Sequence, residues 1–256
     1  MSTGLLANKT LLVTGSARGI GYAIVESALR EGGRVIAHIG RSMPVEPKFG
    51  NHDANRDAHQ LKVIAGDLSS PEELHRIWAE ALAWQGRIDV LVNNAGVYVA
   101  SPIEPKREWD SGWEENLATN LLAPAALCRL AITHNKETHE GIIINMVSRS
   151  SHRGDDAEHL AYGAAKGGLL ALTKGIARGY GECKSIAYAV APAWVRTEMA
   201  EAYIASVGEG AVTRELPMKE ITPAADVAET VVFLASGRAR HANGCTVDIT
   251  GADYVR

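Results

Sequence analysis

The sequence predicts an α/β fold: one doubly wound parallel sheet of about seven strands, with helices on both faces. Two observations carry this prediction. Short apolar runs alternate with helical stretches along the chain, and right-handed crossovers between parallel strands place helices on both faces of a sheet. A glycine-rich turn also separates the first run from the first helix. Because we find no internal repeat, we expect one domain over residues 1–256, with a short substrate-loop region near residues 194–220.

The predicted strands are apolar runs bounded by turn residues. The first, at residues 10–14, has three apolar residues between two threonines, which suits a strand buried on both faces. The other strands are expected at residues 34–39, 61–65, 88–92, 141–145, 185–190 and 245–249. The stretch 42–60 is rich in Pro, Asn, Asp and His and predicts a loop.

The predicted helices follow from periodicity and capping signals. The first spans residues 20–31 and ends before two glycines. The second opens at Ser70, which is followed by Pro71 at the first helical position and a capping-box glutamate, Glu73. Long helices are expected at residues 109–133 and 162–180, and the last runs from residues 222–223 to about 236.

Composition limits the class of protein. The 256 residues are 46% hydrophobic and 22% charged, with a net charge of −4, so neither nucleic acid nor an anionic membrane is an expected partner. No apolar run is long enough to cross a bilayer, and the first residues do not resemble a signal peptide. The cysteines Cys128, Cys183 and Cys245 show no CxxC spacing, so we expect reduced thiols, no metal site and a cytoplasmic location.

Two glycine-containing turns follow predicted strands. The first, residues 14–21, contains Gly15, Gly19 and Gly21 at the start of a helix, where backbone can approach a pyrophosphate. The second, residues 93–96, follows the fourth strand, at the edge of the sheet that faces the ligand crevice in such folds. Either turn alone also has a purely structural explanation.

A tyrosine and a lysine stand four residues apart in one predicted helix. This spacing puts the Tyr162 phenol and the Lys166 ammonium on one face, where the cation should lower the phenol pKa for proton transfer. A Tyr-x-x-x-Lys pair alone is more often a surface pair. Ser148 follows the strand at 141–145, and its hydroxyl there can bond a substrate oxygen or serve as a turn residue.

Together these motifs resemble the short-chain dehydrogenase/reductase family in order and spacing, from Leu11 to Gly251. The resemblance implies a Rossmann-like fold and an oxidoreductase that moves a hydride between nicotinamide and a ketone, aldehyde or secondary alcohol. It implies that Tyr162 is the proton donor and acceptor and that Ser148 orients the substrate. Lys166 would hold the nicotinamide ribose, and Asn120 would anchor a water of the proton relay.

The same resemblance implies the cofactor contacts. Asp67 corresponds to an aspartate near the adenine, and residues 192–197 resemble the Pro-Gly-x-Val-x-Thr segment that meets the carboxamide. Three positions depart from the family pattern. Ala193 replaces a glycine of that segment, Tyr188 stands where asparagine is common, and Gly179 stands where the family often has an acid. The implied contact residues are Gly15, Arg18, Gly19, Ile20, Gly21, His38, Arg41, Ser42, Asp67, Leu68, Asn94, Ala95, Gly96, Tyr162, Lys166, Pro192, Val195 and Thr197.

The end of the second strand predicts a preference for NADP(H), with NAD(H) as the alternative. NAD-dependent members of such folds carry an acid there, and residues 35–42 contain none. Arg41 is placed to pair with a 2′-phosphate, Ser42 adds a hydrogen bond, and Arg18 lies on the same side. Either arginine can instead be a solvated surface charge.

Three further expectations remain open. The charged stretch 149–159 is interpreted as solvated surface, or else Arg149 or His152 contacts a polar or anionic substrate. A homotetramer is predicted, with a dimer as second choice, in which Leu169, Leu170, Leu172 and Ile176 supply apolar contacts or pack within the subunit.

The third concerns activity. A 3-oxoacyl-carrier-protein reductase is one reading of the family resemblance, although the segments 135–140 and 181–185 are mixed in charge and do not favour an acidic carrier. An NAD-dependent alcohol or sugar dehydrogenase and a non-catalytic dinucleotide sensor are the alternatives, and the intact set of Asn120, Ser148, Tyr162 and Lys166 favours an enzyme.

Overall fold

The computed structural model describes residues 4–40, 49 and 59–256. In these ranges seven parallel strands form one sheet in the order β3-β2-β1-β4-β5-β6-β7. This confirms the predicted fold class. The strands are β1 Thr10–Val13, β2 Arg34–Ile39, β3 Leu61–Ala65, β4 Val90–Asn93, β5 Gly141–Met146, β6 Ser185–Pro192 and β7 Thr246–Ile249.

Helices cover both faces of the sheet. In chain order they are α1 Gly19–Arg30, α2 Pro71–Gln85, α3 Lys106–Leu117, α4 Ala123–Thr138, α5 Ser150–Arg153, α6 Leu160–Gly179, α7 Glu198–Val207, α8 Glu209–Glu215 and α9 Ala224–Ala235. The Ser70 hydroxyl accepts a hydrogen bond from the Glu73 amide (3.4 Å), so α2 begins as predicted.

The core lies in layers on either side of the sheet because successive strand residues point to opposite faces. Leu11 and Val13 of β1 pack on the face covered by α1 and α9, and Leu12 packs on the opposite face with residues of α2 and α4. The unbroken apolar run of β1 therefore reflects burial on both faces.

The helix predicted at 109–133 begins earlier and is interrupted. A π-helical turn, Ala118–Leu122, separates α3 from α4. Such turns occur often at functional sites, and this one contains Asn120, whose amide bonds the backbone of Val97 instead of facing solvent. Periodicity alone does not report this insertion.

The predicted substrate-loop region near 194–220 contains two helices, α7 and α8. They were missed because each is short and its apolar residues pack mainly on the other. Their contact is a small cluster of Ala200, Ile204, Val212, Leu216 and Ile221 with Trp194 against it. The stretch 42–60, predicted as a loop, lies largely outside the described residues, as do Arg41 and Ser42.

In the part of the chain that the structure describes, the helices are too short or too polar to cross a membrane.

Candidate active site

A cleft of about 1650 Å³ opens at the carboxyl ends of the strands. It lies at the point where the chain order reverses, between β1 and β4, which is where doubly wound folds bind ligands. Most of the predicted site residues line it, namely Gly15, Arg18, Gly19, Ile20, Gly21, His38, Asp67, Leu68, Asn94, Ala95, Gly96, Ser148, Tyr162, Lys166, Pro192, Val195 and Thr197. Arg41 and Ser42 lie outside the described residues.

The glycine turn is shaped by close backbone packing. Gly15 has φ +65°, and a Cβ there would lie 2.7 Å from the Ala95 Cα. A Cβ on Gly21 would lie 2.2 Å from the Gly15 carbonyl oxygen and 2.5 Å from the Asn94 Nδ2. Only glycine fits either position without displacing the second turn, so the two turns form one unit.

The amino end of α1 suits a pyrophosphate. Arg18 precedes the helix without a side-chain cap, and the first helical turn contains no acidic residue. The exposed amides and the helix dipole therefore present positive charge to the cleft. This donor set, with the Lys166 ammonium across the cleft, fits a dinucleotide.

Thr14 joins the two turns and was missed in the sequence. Its hydroxyl oxygen accepts hydrogen bonds from the amides of Asn94 and Ala95, at 3.0 Å each. The Asn94 amide group in turn donates to the carbonyls of Thr14 (2.9 Å) and Gly15 (3.0 Å). Asn94 therefore has a structural role in the described protein, and its cofactor contact stays a prediction.

His38 lines the cleft, but its imidazole is almost wholly buried. It is 3% exposed, accepts a hydrogen bond from the Gly15 amide (3.3 Å) and lies 3.2 Å from the Gly66 carbonyl through Nε2. Burial lowers its pKa to about 4. The neutral ring ties the ends of β1, β2 and β3 together.

Asp67 lies at the same end of the cleft, beyond β3. Its Oδ1 accepts hydrogen bonds from the Ser69 amide (2.9 Å) and hydroxyl (2.7 Å). The turn thus holds the carboxylate beside Leu68 in the cleft wall, and contact with an adenine stays a prediction.

Tyr162, Ser148 and Lys166 meet at the centre of the cleft. The Tyr162 phenol and the Ser148 hydroxyl line the same part of the cleft, and Ser148 acts on the pKa of Tyr162. The Lys166 ammonium is 4% exposed, lies 5.9 Å from the Tyr162 ring centroid and donates to the Met146 carbonyl oxygen (2.8 Å). The predicted grouping of a phenol, a hydroxyl and an ammonium is therefore present.

The prediction that the cation lowers the Tyr162 pKa is wrong for the protein as described. Burial raises the pKa of Tyr162 to about 12, and the Ser148 hydroxyl opposes the rise. Burial also lowers the pKa of Lys166 to about 8. Low-dielectric surroundings disfavour both charged forms, and burial is the largest influence on each of the two pKa values.

Asn120 is fully buried beneath the cleft. Its side chain accepts from the Val97 amide (3.1 Å) and donates to the Val97 carbonyl (2.9 Å). A Cβ on Gly96 would lie 2.8 Å from its Oδ1. Asn120 thus fixes the backbone segment after the second turn, and its relay role stays a prediction.

Residues 192–197 form the wall above the glycine turn. Thr197 lies against Gly19, where a Cβ would come within 3.1 Å of the threonine methyl. The Ala193 amide donates to the Ile249 carbonyl (3.2 Å), which ties this wall to β7. Tyr188, the departure in β6, is fully buried and donates to the Ala239 carbonyl (2.8 Å).

The charged stretch after Ser148 is only partly solvated surface. Arg149 lines the cleft, forms an ion pair with Asp253 and lies 5.6 Å from the Trp194 ring centroid. His152 is buried away from the described cleft lining, stacked on Tyr254 with ring centroids 5.6 Å apart. Of the two residues considered for contact with a substrate, Arg149 lines the cleft and His152 does not.

Comparisons with known proteins identify the family. The family model described as enoyl-(acyl carrier protein) reductase matches residues 15–251. The 3-oxoacyl-[acyl-carrier-protein] reductase FabG of Staphylococcus epidermidis is 29% identical over 248 residues, which are 97% of this chain and 100% of that protein. The 3beta-hydroxysteroid dehydrogenase 1 of Eggerthella lenta is 31% identical over 249 residues, which are 96% of this chain and 94% of that protein.

A solved structure shares the fold. The short-chain dehydrogenase/reductase described as glucose/ribitol dehydrogenase from Brucella melitensis superposes with a TM-score of 0.85 at 24% identity, and the match covers 100% of both chains. Because the family model matches most of this chain, the chain belongs to the short-chain dehydrogenase/reductase family of NAD(P)-dependent oxidoreductases.

Proposed function

We propose that this oxidoreductase interconverts a ketone or aldehyde and the corresponding alcohol, with NADP(H) as the preferred cofactor and Tyr162 as the proton donor and acceptor. The observation that carries the proposal is the grouping of Tyr162, Ser148 and the buried Lys166 in one cleft with the glycine turn. A non-catalytic dinucleotide sensor has no need of this arrangement.

In this proposal Ser148 and Tyr162 have separate roles in the transfer of the proton. A bound nicotinamide supplies or accepts the hydride. The Ser148 oxygen accepts a hydrogen bond from the Ser150 amide (3.1 Å), so its own proton is free to donate to a substrate oxygen or to Tyr162. Tyr162 then gives its proton to that oxygen during reduction and takes it back during oxidation.

Lys166 and Asn120 would support this transfer. The ammonium, held by the Met146 carbonyl, stands beside Gly96 and can reach a ribose hydroxyl in the cleft. Asn120 keeps the Val97 backbone in place against the same wall. The Lys166 role matches the one implied by the family resemblance, whereas the water-anchoring role of Asn120 stays part of the proposal.

The NADP(H) preference rests on charge at the end of β2. Residues 35–42 contain no carboxylate to repel a 2′-phosphate, and the buried imidazole of His38 is committed to Gly15 and Gly66. Arg41 is the phosphate partner in this proposal. Arg18 is a weaker candidate because it pairs with Glu198 at 3.2 Å, with both side chains 62% exposed.

The substrate is proposed only as a carbonyl compound or secondary alcohol. One relative is named for a 3-oxoacyl-carrier-protein substrate and another for a steroid, so the names of similar chains do not agree on a substrate. The mixed charge of segments 135–140 and 181–185 favours a small molecule over an acidic carrier protein. Because the described cysteines are free thiols, we also propose a cytoplasmic location.

The test is a spectrophotometric screen of NADPH and NADH against diverse ketones, aldehydes and sugars, repeated with Tyr162→Phe. We expect turnover in the unsubstituted enzyme and its loss in the variant, with dinucleotide binding nearly unchanged because only one hydroxyl is removed. A Tyr162→Phe enzyme with near-normal kcat would refute the assignment of the proton donor.

A further inference from the structure

We infer that Asp155 is a positioning residue of the reaction, whose carboxylate holds groups on two sides of Tyr162. The inference rests on the proposed role of Tyr162. Asp155 belongs to the charged stretch after Ser148, and no role follows for it from the sequence motifs. It lies half-buried in the cleft wall.

The first link runs toward Ser148. One carboxylate oxygen of Asp155 accepts a hydrogen bond from the Ser150 hydroxyl (2.6 Å). The Ser150 amide donates to the Ser148 hydroxyl oxygen (3.1 Å). Since Ser150 is 5% exposed and bonded at both ends, the carboxylate fixes the donor that orients the Ser148 hydroxyl.

The second link runs to the opposite side of the phenol. The Tyr98 hydroxyl donates to the other Asp155 oxygen (3.3 Å). The Tyr98 ring meets the Tyr162 ring edge to face, with centroids 4.8 Å apart and planes at 86°. Tyr98 is also stacked on His159 at 3.8 Å. The carboxylate thus secures an aromatic wall against the reacting tyrosine.

The turn that carries Asp155 is itself well anchored. Gly154 has φ +78°, which lets the chain leave α5 and turn back toward α6. The Ser101 amide donates to the Glu158 carbonyl (2.6 Å). The Asp156 amide donates to Oδ1 of the Asp155 carboxylate (3.0 Å). The position of the carboxylate is therefore set by backbone contacts.

Charge gives the arrangement a chemical consequence. An anion near a phenol disfavours the phenolate. The other charged or titratable groups around Tyr162 are Lys166 on its own helix, Tyr98 and His159 on the aromatic wall, Asp156 on the turn, and Arg149, which is paired with Asp253. Asp155 raises the pKa of Tyr162, whereas Arg149 opposes it. The carboxylate therefore keeps the phenol able to donate a proton at higher pH.

The test titrates Tyr162 directly and needs no substrate. A fluorinated tyrosine, whose phenol is more acidic, is placed at position 162 by amber suppression, and its ¹⁹F chemical shift is followed against pH. We expect Asp155→Asn to lower the titration midpoint by about one pH unit, the size of a like-charge effect across a partly screened contact. Asp155→Glu, which keeps the charge, should leave it nearly unchanged.

Glu158→Gln is the matched control because it removes an exposed carboxylate from the same loop. Its midpoint should equal that of the unsubstituted chain. An unchanged midpoint in a folded Asp155→Asn protein would overturn the inference. If that variant does not fold, Asp155→Ser decides: it also removes the charge, so its midpoint should fall, and an unchanged midpoint would contradict us.

The outcomes separate this inference from the proposed function. Retained turnover in Tyr162→Phe would refute the proton-donor assignment whatever the titration shows. An unchanged midpoint in Asp155→Asn, with turnover lost in Tyr162→Phe, would refute the role of Asp155 alone.

Discussion

Asp253, close to the carboxyl end of the chain, forms an ion pair with Arg149, the residue that follows Ser148. Both side chains are mostly buried, at 15% and 16% exposure. The Arg149 amide also donates to the Pro192 carbonyl (3.0 Å). The last turn of the protein is thereby fastened to the residue next to Ser148.

Asp253→Asn should destabilise the protein by about 2–3 kcal/mol, because it leaves a largely buried guanidinium without its counter-charge. Urea denaturation measures the change in the free energy of unfolding. Asp226→Asn, at an exposed position in the first turn of α9, is the control and should cost much less. Equal stability of the two variants would show that the ion pair contributes nothing.

Arg41→Ala should raise the Kd for NADPH about ten- to a hundredfold, the range expected for one lost charge-assisted hydrogen bond. The Kd for NADH should barely change, since NADH has no 2′-phosphate. Fluorescence titration of both cofactors provides the comparison. Tighter binding of NADH than of NADPH by the unsubstituted protein would reverse the cofactor assignment.

The protein should lose stability between pH 7 and pH 5 through His38. Its pKa is about 4 in the folded chain against an ordinary 6.5, so over this range the unfolded chain binds a proton that the folded chain excludes. The free energy of unfolding therefore rises with pH, and His38 accounts for about 2 kcal/mol between pH 5 and pH 7.

Denaturation of His38→Asn at both pH values checks this estimate. The variant should be less stable at pH 7 but should show a flatter pH dependence. His75→Asn is the control, since His75 is exposed on α2, and it should keep the original slope. The same slope in His38→Asn would locate the pH dependence elsewhere.

Light scattering should give a mass of about 109 kDa, four times the 27.3 kDa of one chain. Leu169, Leu170 and Ile176 are buried within the subunit, which agrees with the alternative that these residues pack internally and do not join subunits. The groove between α4 and α6, lined by Ile132, Leu172 and Tyr180 among others, is the more suitable surface. A monomer at working concentration would refute the tetramer, and a dimer would support the second choice.

The sequence predicted what local pattern determines. The strands and most long helices follow from apolar periodicity and caps, and Gly15, Gly21 and Tyr162 reach the cleft because the topology brings strand ends to one edge. Motif spacing was sufficient to place these residues together.

What the sequence could not predict depends on contacts between distant segments. The bond from Tyr98 to Asp155 and the pair between Arg149 and Asp253 join positions far apart in the chain. The raised pKa of Tyr162 likewise depends on burial, which a cation four residues away does not reveal. The feature of the sequence that indicated these contacts was the number of charged residues in the stretch 149–159.

The ion pair between Arg18 and Glu198 has a consequence for the order of events in the cleft. It joins the glycine turn to the first residue of α7, which walls the other half of the cavity. A phosphate that approaches Arg18 competes with Glu198 for the same guanidinium, so occupancy of one half loosens the other. Thermodynamic reciprocity then requires that a substrate that orders α7 weaken the hold of Arg18 on phosphate by the same factor. For so exposed a pair the exchange is worth at most about 1 kcal/mol, enough to make binding of the two ligands mildly antagonistic.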